Sequence, residues 1–263
     1  MDLGLRNAKV LVTAASQGLG AATARVFSEE GAIVSINSRS PEKIAAIASE
    51  IKRDTGSDVF AFAADVTANS AAAEMVRAAA ERMGGLDVLV TNAGGPPPGT
   101  FETIEHDQWE AAVQLNFLSA VTLVRAALPY LKQSNQAAVL TITSISAKQS
   151  VENLTLSNSV RPAVIGLTKT LSEELGSYGI RVNSILPGVT DTERVVNLMQ
   201  GRATKNETDV ETEYAKAARA TAIGRIGTPR EFANAAVFLC SPAAAFITGV
   251  PLLVDGGASK AIL

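Results

Sequence analysis

The sequence is poor in the residues that build disulfide frameworks and metal sites. Its 263 residues include one cysteine, one histidine and one tryptophan, and aromatic residues make up only 5%. A single cysteine excludes an intramolecular disulfide, and Cys240 and His106 alone make a Cys/His metal site a poor interpretation, so we expect no metal. We expect Cys240, in an apolar run, to be a buried structural thiol, and His106, in a polar stretch, to be solvated.

A strong charge of either sign is also absent. The chain has 23 basic and 26 acidic residues, a net charge of −3, and a pI near 5.4. This balance lacks the excess of basic residues that is typical of nucleic-acid-binding proteins. No stretch is expected to approach the ~18 apolar residues of a membrane span, and no signal-peptide pattern is present. Together these absences favour a cytoplasmic protein without a nucleic-acid or membrane partner.

Short apolar runs alternate with helix-prone segments about seven times along the chain. The runs are nearly continuous in apolar residues, which is typical of strands covered by helices on both faces. With right-handed crossovers this predicts an α/β, doubly wound (Rossmann) fold of about seven parallel strands. No linker or repeat divides the sequence, so we expect a single domain over residues 1–263, in which about 193–223 is a polar, helix-prone stretch. The strands are predicted to begin near Lys9, Ile33, Val59, Leu86, Ala138, Ile180 and Pro251.

A glycine loop joins the first predicted strand to the first helix, and it reads Thr13-Ala-Ala-Ser-Gln-Gly-Leu-Gly20. Glycines at a helix start let the backbone approach a pyrophosphate, which the helix N-terminus attracts. Alone, the loop fits a plain tight turn equally well, but its place inside a βαβ unit favours a dinucleotide site. The residues expected to hold a cofactor here are Thr13, Ala15, Ser16, Gln17, Gly18, Leu19 and Gly20.

From this loop onward the sequence resembles the classical short-chain dehydrogenase/reductase family, and 3-oxoacyl-carrier-protein reductases in particular. Its motifs recur in order: Asp65-Val66, Asn92-Ala93-Gly94, Pro187-Gly188 with Thr192, and Val254-Asp-Gly-Gly257. The family's first loop glycine is replaced by Ala14, which we expect to be tolerated if its φ stays negative. The resemblance implies a nicotinamide cofactor, a small-molecule substrate and a homotetramer. It also implies a substrate-lid segment at about 193–223, although the charged stretch from Lys205 to Lys216 fits a solvated helical face equally well. The cofactor contacts that it implies are Asp65, Val66, Asn92, Ala93, Gly94, Arg161, Pro187, Gly188, Thr190 and Thr192.

The family's catalytic pattern is altered in this chain. Asn116 and Ser144 stand at the positions of the catalytic Asn and Ser, but Tyr-x-x-x-Lys reads Ser157-x-x-x-Arg161. A serine hydroxyl is a much weaker acid than a phenol and is shorter by a ring, and arginine does not relay a proton as lysine does. Pro162 is expected to kink the helix beside Arg161. The predicted catalytic residues are Asn116, Ser144, Ser157 and Arg161.

Three interpretations of this altered site remain open. The first is an active oxidoreductase in which Ser144, Ser157 or a water held by Arg161 takes the proton role. The second is a nicotinamide-binding sensor or assembly subunit with little dehydrogenase activity. The third is a non-redox enzyme that reuses the cleft. Among the tyrosines, Tyr214 in the lid segment is the one that could swing toward the site.

The choice between NADP(H) and NAD(H) is predicted from the residues at the end of the second strand. A carboxylate there would bind the ribose of NAD, but this sequence has Ser38 followed by Arg39. Arg39 can bind a 2′-phosphate in bidentate fashion, so we predict NADP(H) over NAD(H). Gln17 counts against this choice, because NADP-users often carry a base at that loop position.

The expected homotetramer has some support in the helix pattern. The segments 107–132 and 157–178 carry apolar residues on more than one face, whereas one sheet can cover only one face of each helix. A dimer is the alternative assembly.

Overall fold

A computed structural model of the protein describes residues 2–261 and contains seven strands in one sheet. The order is β3-β2-β1-β4-β5-β6-β7, and every neighbouring pair is parallel. The doubly wound parallel sheet expected from the alternating runs is therefore confirmed. The strands are β1 (Lys9–Val12), β2 (Ile33–Ser38), β3 (Val59–Ala63), β4 (Val88–Thr91), β5 (Ala138–Ile142), β6 (Arg181–Pro187) and β7 (Pro251–Val254).

Nine α-helices connect or flank these strands within the described residues. Local signals set several of their ends: the Ser40 hydroxyl accepts from the Lys43 N–H at 3.2 Å, and Gly56 ends the same helix at φ +72°. The helices are α1 (Gly18–Glu29), α2 (Pro41–Thr55), α3 (Asn69–Met83), α4 (His106–Val113), α5 (Ser119–Leu131), α6 (Thr155–Glu174), α7 (Glu193–Asn206), α8 (Val210–Arg219) and α9 (Pro229–Cys240).

The sheet separates two apolar cores. Val10 and Val12 of β1 point into one core, and Leu11 between them points into the other, as the period of two in a strand requires. Helices α1, α2 and α9 cover the first face, with Phe27 and Phe232 fully buried there. Helices α3 and α5 cover the second face. Both faces are thus closed, and the carboxyl edge of the strands remains for a ligand.

The segment predicted as one helix over 107–132 is helical but not uniform. A π-helical turn, Gln114–Leu118, lies between α4 and α5. The combined helix His106–Leu131 is long enough to cross a membrane, and an 18-residue stretch within it has a mean hydropathy of 1.5. The expectation that no stretch approaches such a span is therefore wrong. Part of this apolar character serves the core, where Leu123 and Leu131 are buried against the sheet.

Pro162 does not end or divide helix α6, which runs continuously from Thr155 to Glu174. The predicted helix end at 178 is a separate short turn, Gly176–Tyr178, closed by Gly179 at φ +74°. Arg161 therefore lies inside a regular helix one residue before the proline.

Candidate active site

The carboxyl ends of β1 and β4 are tied together beneath the glycine loop. The Thr13 hydroxyl donates to the Asn92 carbonyl and accepts from the Asn92 N–H, each at 2.8 Å. The Asn92 amide nitrogen donates to the Ala14 carbonyl at 3.1 Å. These hydrogen bonds therefore connect two predicted cofactor residues, Thr13 and Asn92, that belong to separate motifs.

Ala14 adopts a left-handed backbone conformation with φ +47°. The expectation that its φ stays negative is wrong, because the turn that directs its carbonyl to Asn92 requires the αL region there, at some cost for a residue with a Cβ. Gly20 is required for a different reason. A Cβ at that position would lie 2.5 Å from the Ala14 carbonyl oxygen.

The N-terminus of α1 is left open by the protein's own side chains. Gln17 precedes the helix without a side-chain cap, and the first turn has no acidic residue. By contrast, α2 is capped by Ser40. The free N–H groups and the positive end of the helix dipole at α1 fit a pyrophosphate. Ala15, Ser16, Gln17, Gly18, Leu19 and Gly20 all lie on this loop and first turn.

The ends of β2 and β3 place Arg39 near Asp65. The Asp65 carboxylate accepts from the N–H and hydroxyl of Thr67 at 2.9 and 2.8 Å. These bonds lower the pKa of Asp65, and the nearby Arg39 guanidinium lowers it further. Arg39 itself is exposed, whereas Val66 is buried and Ser38 turns its hydroxyl to the Ser40 carbonyl. An exposed guanidinium thus lies near the Asp65 carboxylate at the ends of β2 and β3.

Asn116 and Arg161 meet at a small internal cavity. Asn116 lies in the π-helical turn and donates to the Gly94 carbonyl at 2.8 Å, while its Oδ1 is buried without a partner. Arg161 is 6% exposed and donates through Nη1 to the Ile142 carbonyl at 3.1 Å. Its Nε is also buried without a partner. The cavity between them measures about 10 Å³, room for about one water molecule. Asn92, Ala93 and Thr141 line it as well.

The predicted serines lie close to one another, and a third serine joins them. The Ser157 hydroxyl is buried and lies 2.8 Å from the Ser146 hydroxyl. The Ser144 hydroxyl is half-buried and accepts from the Ser146 N–H at 3.1 Å. The sequence analysis missed Ser146. Its spacing two residues after Ser144 was visible, but only the short turn Ile145–Ala147 directs its hydroxyl toward Ser157.

The segment after β6 crosses the cleft and approaches the glycine loop. The Gly188 N–H donates to the Val254 carbonyl at 3.0 Å, and a Cβ on Gly188 would lie 2.7 Å from that of Asp255. Thr190 is buried. Thr192 lies just before α7, and its methyl group would be 3.7 Å from a Cβ placed on Gly18 of the glycine loop. The motif beginning at Pro187 therefore closes the cleft from the side of β6.

Helix α7 adds a residue that the sequence analysis missed. Arg194 donates to the Gly95 and Pro96 carbonyls at 3.1 and 3.3 Å, and so joins the lid segment to the loop after β4. The second lid helix, α8, carries Tyr214. Burial and the Asp191 carboxylate raise its pKa.

The histidine and the cysteine lie outside this site. The His106 side chain is 90% exposed beside Glu110. Cys240 is buried in the first core, and burial raises its pKa to about 12. Both interpretations made from the sequence are confirmed. Across residues 2–261, no three His, Cys, Asp or Glu side chains are grouped so that they could hold a metal ion.

Comparisons with known proteins agree with the geometry. Residues 13–259 match the family described as enoyl-(acyl carrier protein) reductase. The 3-oxoacyl-[acyl-carrier-protein] reductase of Chlamydia muridarum is 32% identical over 98% of this chain and 99% of its own.

Two solved structures are similar over nearly the whole chain. The L-sorbose reductase of Gluconobacter frateurii, complexed with NADPH and L-sorbose, has a TM-score of 0.95 at 30% identity, with both chains covered completely. An NADPH-bound short-chain oxidoreductase of Pseudomonas aeruginosa PAO1, described as containing an atypical catalytic center, has a TM-score of 0.88 at 31% identity over 97% of this chain and 99% of its own. The fold, the motifs and these matches together place the chain in the short-chain dehydrogenase/reductase family of oxidoreductases.

Proposed function

We propose that the protein is an NADP(H)-dependent oxidoreductase that interconverts a carbonyl and a hydroxyl group on a small molecule. The observation that carries this proposal is the meeting of Arg161 and Asn116 at a cavity that Asn92 also lines, with Asn92 hydrogen-bonded to the glycine loop at the Ala14 carbonyl. The cofactor, when bound, donates or accepts the hydride. The relatives that were solved with NADPH support the choice of cofactor.

The chain's own residues would hold that cofactor in three places. The loop from Thr13 to Gly20 receives the pyrophosphate on the open end of α1. Arg39 would bind the 2′-phosphate, since Ser38 and Arg39 stand where an NAD-binding carboxylate would end β2. Asp65 and Val66 would lie by the adenine. Asn92, Ala93, Gly94, Pro187, Gly188, Thr190 and Thr192 hold the nicotinamide end.

Proton transfer is the step in which this site differs from the family pattern. The half-buried Ser144 hydroxyl orients the carbonyl oxygen, and the Arg161 charge stabilises the alkoxide that forms when hydride reaches carbon. Water in the cavity next to Asn116, or the Ser157 hydroxyl, provides the proton. Loss of an efficient general acid typically costs 10²–10⁴-fold in rate, so we expect slow turnover or a narrow substrate range.

A second candidate function rests on the buried serine pair. Ser157 shares a hydrogen bond with Ser146, which withdraws its hydroxyl from the cleft. This arrangement favours a protein that binds the nicotinamide cofactor as a sensor or assembly subunit. The two candidates differ in turnover and agree in cofactor binding.

The test is NADPH oxidation over a panel of ketones and 3-oxoacyl compounds. We expect slow oxidation by the wild type and a rise of about 10²-fold on activated ketones in Ser157→Tyr/Arg161→Lys, which restores a phenol and a lysine. Ser159→Tyr, at an exposed position of α6, is the matched control and should leave the rate unchanged.

Two outcomes would redirect the proposal. Ordinary reductase rates in the wild type that survive Ser157→Ala would show that another group is the acid. NADPH binding by both proteins without turnover of any substrate would establish the cofactor-binding function instead.

A further inference from the structure

Two arginines of the candidate site have no carboxylate partner. Arg161 and Arg194 make no ion pair with any residue of the described chain, 2–261. The hydrogen bonds of Arg161 and Arg194 within that range go to backbone carbonyls: Ile142 for the first, Gly95 and Pro96 for the second. A guanidinium has five N–H donors, so each has donors left over for a ligand.

The two cations lie close enough to affect each other. Burial lowers the pKa of Arg161 to about 10, and the Arg194 charge acts in the same direction. Two like charges in a partly desolvated cleft are unfavourable unless an anion joins them. An anion bound at this end of the cleft would relieve that repulsion.

The Arg194 guanidinium occupies a space that a side chain at position 95 would fill. It lies against Gly95, where a Cβ would come within 2.5 Å of Cζ. Gly95 directly follows Gly94, whose carbonyl accepts from Asn116. The guanidinium consequently overlies the same end of the cleft as the candidate catalytic residues.

Resting on the proposed function, we propose that Arg194, supported by Arg161, binds the anionic group of the substrate, so that the substrates are small keto or hydroxy acids. In the reduction, hydride and one proton convert the keto carbonyl to a hydroxyl, and the carboxylate is unchanged. A carboxylate matches the planar fork of a guanidinium with two parallel hydrogen bonds. The exposed side chain of Arg194 is free to turn from the backbone carbonyls to such a ligand.

The experiment measures binding rather than turnover. Protein loaded with NADP⁺ is titrated calorimetrically with acetoacetate and with its uncharged methyl ester, so the oxidised cofactor prevents reduction. We expect the acid to bind about tenfold or more tightly than the ester, a difference of about 1.4 kcal/mol. Arg194→Gln should abolish this preference, and Arg194→Lys should retain part of it.

Two further variants separate the effect of the position of the Arg194 guanidinium from the effect of net positive charge. Gly95→Ala keeps both arginines but displaces the Arg194 guanidinium, so it should also reduce the preference. Arg219→Gln removes one charge from an exposed position at the end of α8 and should keep the wild-type preference.

The inference is overturned if acid and ester bind the wild type equally. It is also overturned if Arg194→Gln weakens NADPH binding and leaves the preference for the acid intact, because Arg194 would then serve a cofactor phosphate. A failure of the proposed oxidoreductase function gives a different result: preferential acid binding that depends on Arg194, with no NADPH oxidation on any substrate.

Discussion

At the scale of single residues, the site contains arginines that are hydrogen-bonded to the protein and one that has no such bond among the described residues. Arg161 is buried and held by a backbone carbonyl, whereas Arg39 is exposed at the end of β2 with no hydrogen bond among residues 2–261. A hydrogen-bonded guanidinium such as that of Arg161 helps to hold the strands and helices of the site in place. An exposed one that makes no hydrogen bond among residues 2–261 is available for a phosphate.

Removal of the Arg39 side chain should therefore change cofactor choice. A hydrogen bond to a charged group contributes about 1.5–3 kcal/mol, so Arg39→Ala should weaken NADPH binding about tenfold to a hundredfold and leave NADH binding nearly unchanged. Calorimetry at matched salt checks this, with Arg6→Ala, an exposed arginine before β1, as the control. Equal or tighter binding of NADH by the wild type would contradict the prediction.

At the scale of elements, helix N-termini divide into closed and open ones. Helix α9 is closed by a capping box, in which the Thr228 hydroxyl accepts from the Glu231 N–H and the Glu231 carboxylate accepts from the Thr228 N–H. Pro229 at the first helical position adds a preset φ. Helix α1 has no such cap. Helices α3 and α6 also begin without a side-chain cap, so the feature that distinguishes the open end of α1 is its place in the glycine loop between Thr13 and Gly20.

The cap on α9 makes stability depend on pH. Hydrogen bonds from Arg225, and then from Thr228, lower the pKa of Glu231 from 4.5 to about 2 in the folded protein. Because the folded pKa is depressed, this contribution is present above about pH 4.5 and is lost as the pH falls toward 2. The difference in unfolding free energy between wild type and Glu231→Gln should therefore be larger at pH 7 than at pH 3.5 in urea titrations.

The matched control for this prediction is Glu211→Gln, an exposed glutamate in the first turn of α8. It should show a smaller change between the two pH values. Thr228→Ala should cost about 1 kcal/mol at pH 7. A difference for Glu231→Gln that grows at acid pH would have the wrong sign and refute the assignment.

At the scale of the whole molecule, apolar surface remains on one edge and one helix pair. Strand β7 is the last in the sheet, and its residues Pro251–Val254 are only half-buried. Phe246 before it is fully exposed, and Val113 and Leu118 of the long helix are also exposed. Unpaired strand edges and exposed apolar side chains are features that a second copy can cover.

We therefore predict a homotetramer, with a dimer as the alternative. Light scattering at micromolar concentration should give a mass four times the 27.3 kDa of one chain. Leu118→Glu should lower the mass, because it buries a charge in the contact, and Arg219→Glu, on an exposed part of α8, should not. A monomer for the wild type would refute the assembly.

Local pattern in the sequence was sufficient for the fold. Continuous apolar runs predict buried parallel strands, and Ser40-Pro41 predicts the start of α2, because periodicity and capping act over a few residues. The order of motifs was sufficient to bring Thr13 and Asn92 to one cleft, since the carboxyl ends of parallel strands share an edge. The backbone of Ala14 was not predictable in this way. Its positive φ is set by a hydrogen bond to Asn92, far along the chain.

The tertiary structure alone decided which side chains meet in the site. Ser146 reaches Ser157 through a short turn, and Arg194 reaches Gly95 across a separation of 99 residues. No local pattern encodes such contacts, since the sequence specifies directions within an element and only packing specifies distances between elements. The sequence by itself determined the sheet and the glycine loop, and it carries the prediction that Ser157 and Arg161 replace the family's Tyr and Lys. Packing decided that Arg161 is buried beside a second arginine, because burial and electrostatic contact depend on what every neighbouring element places there.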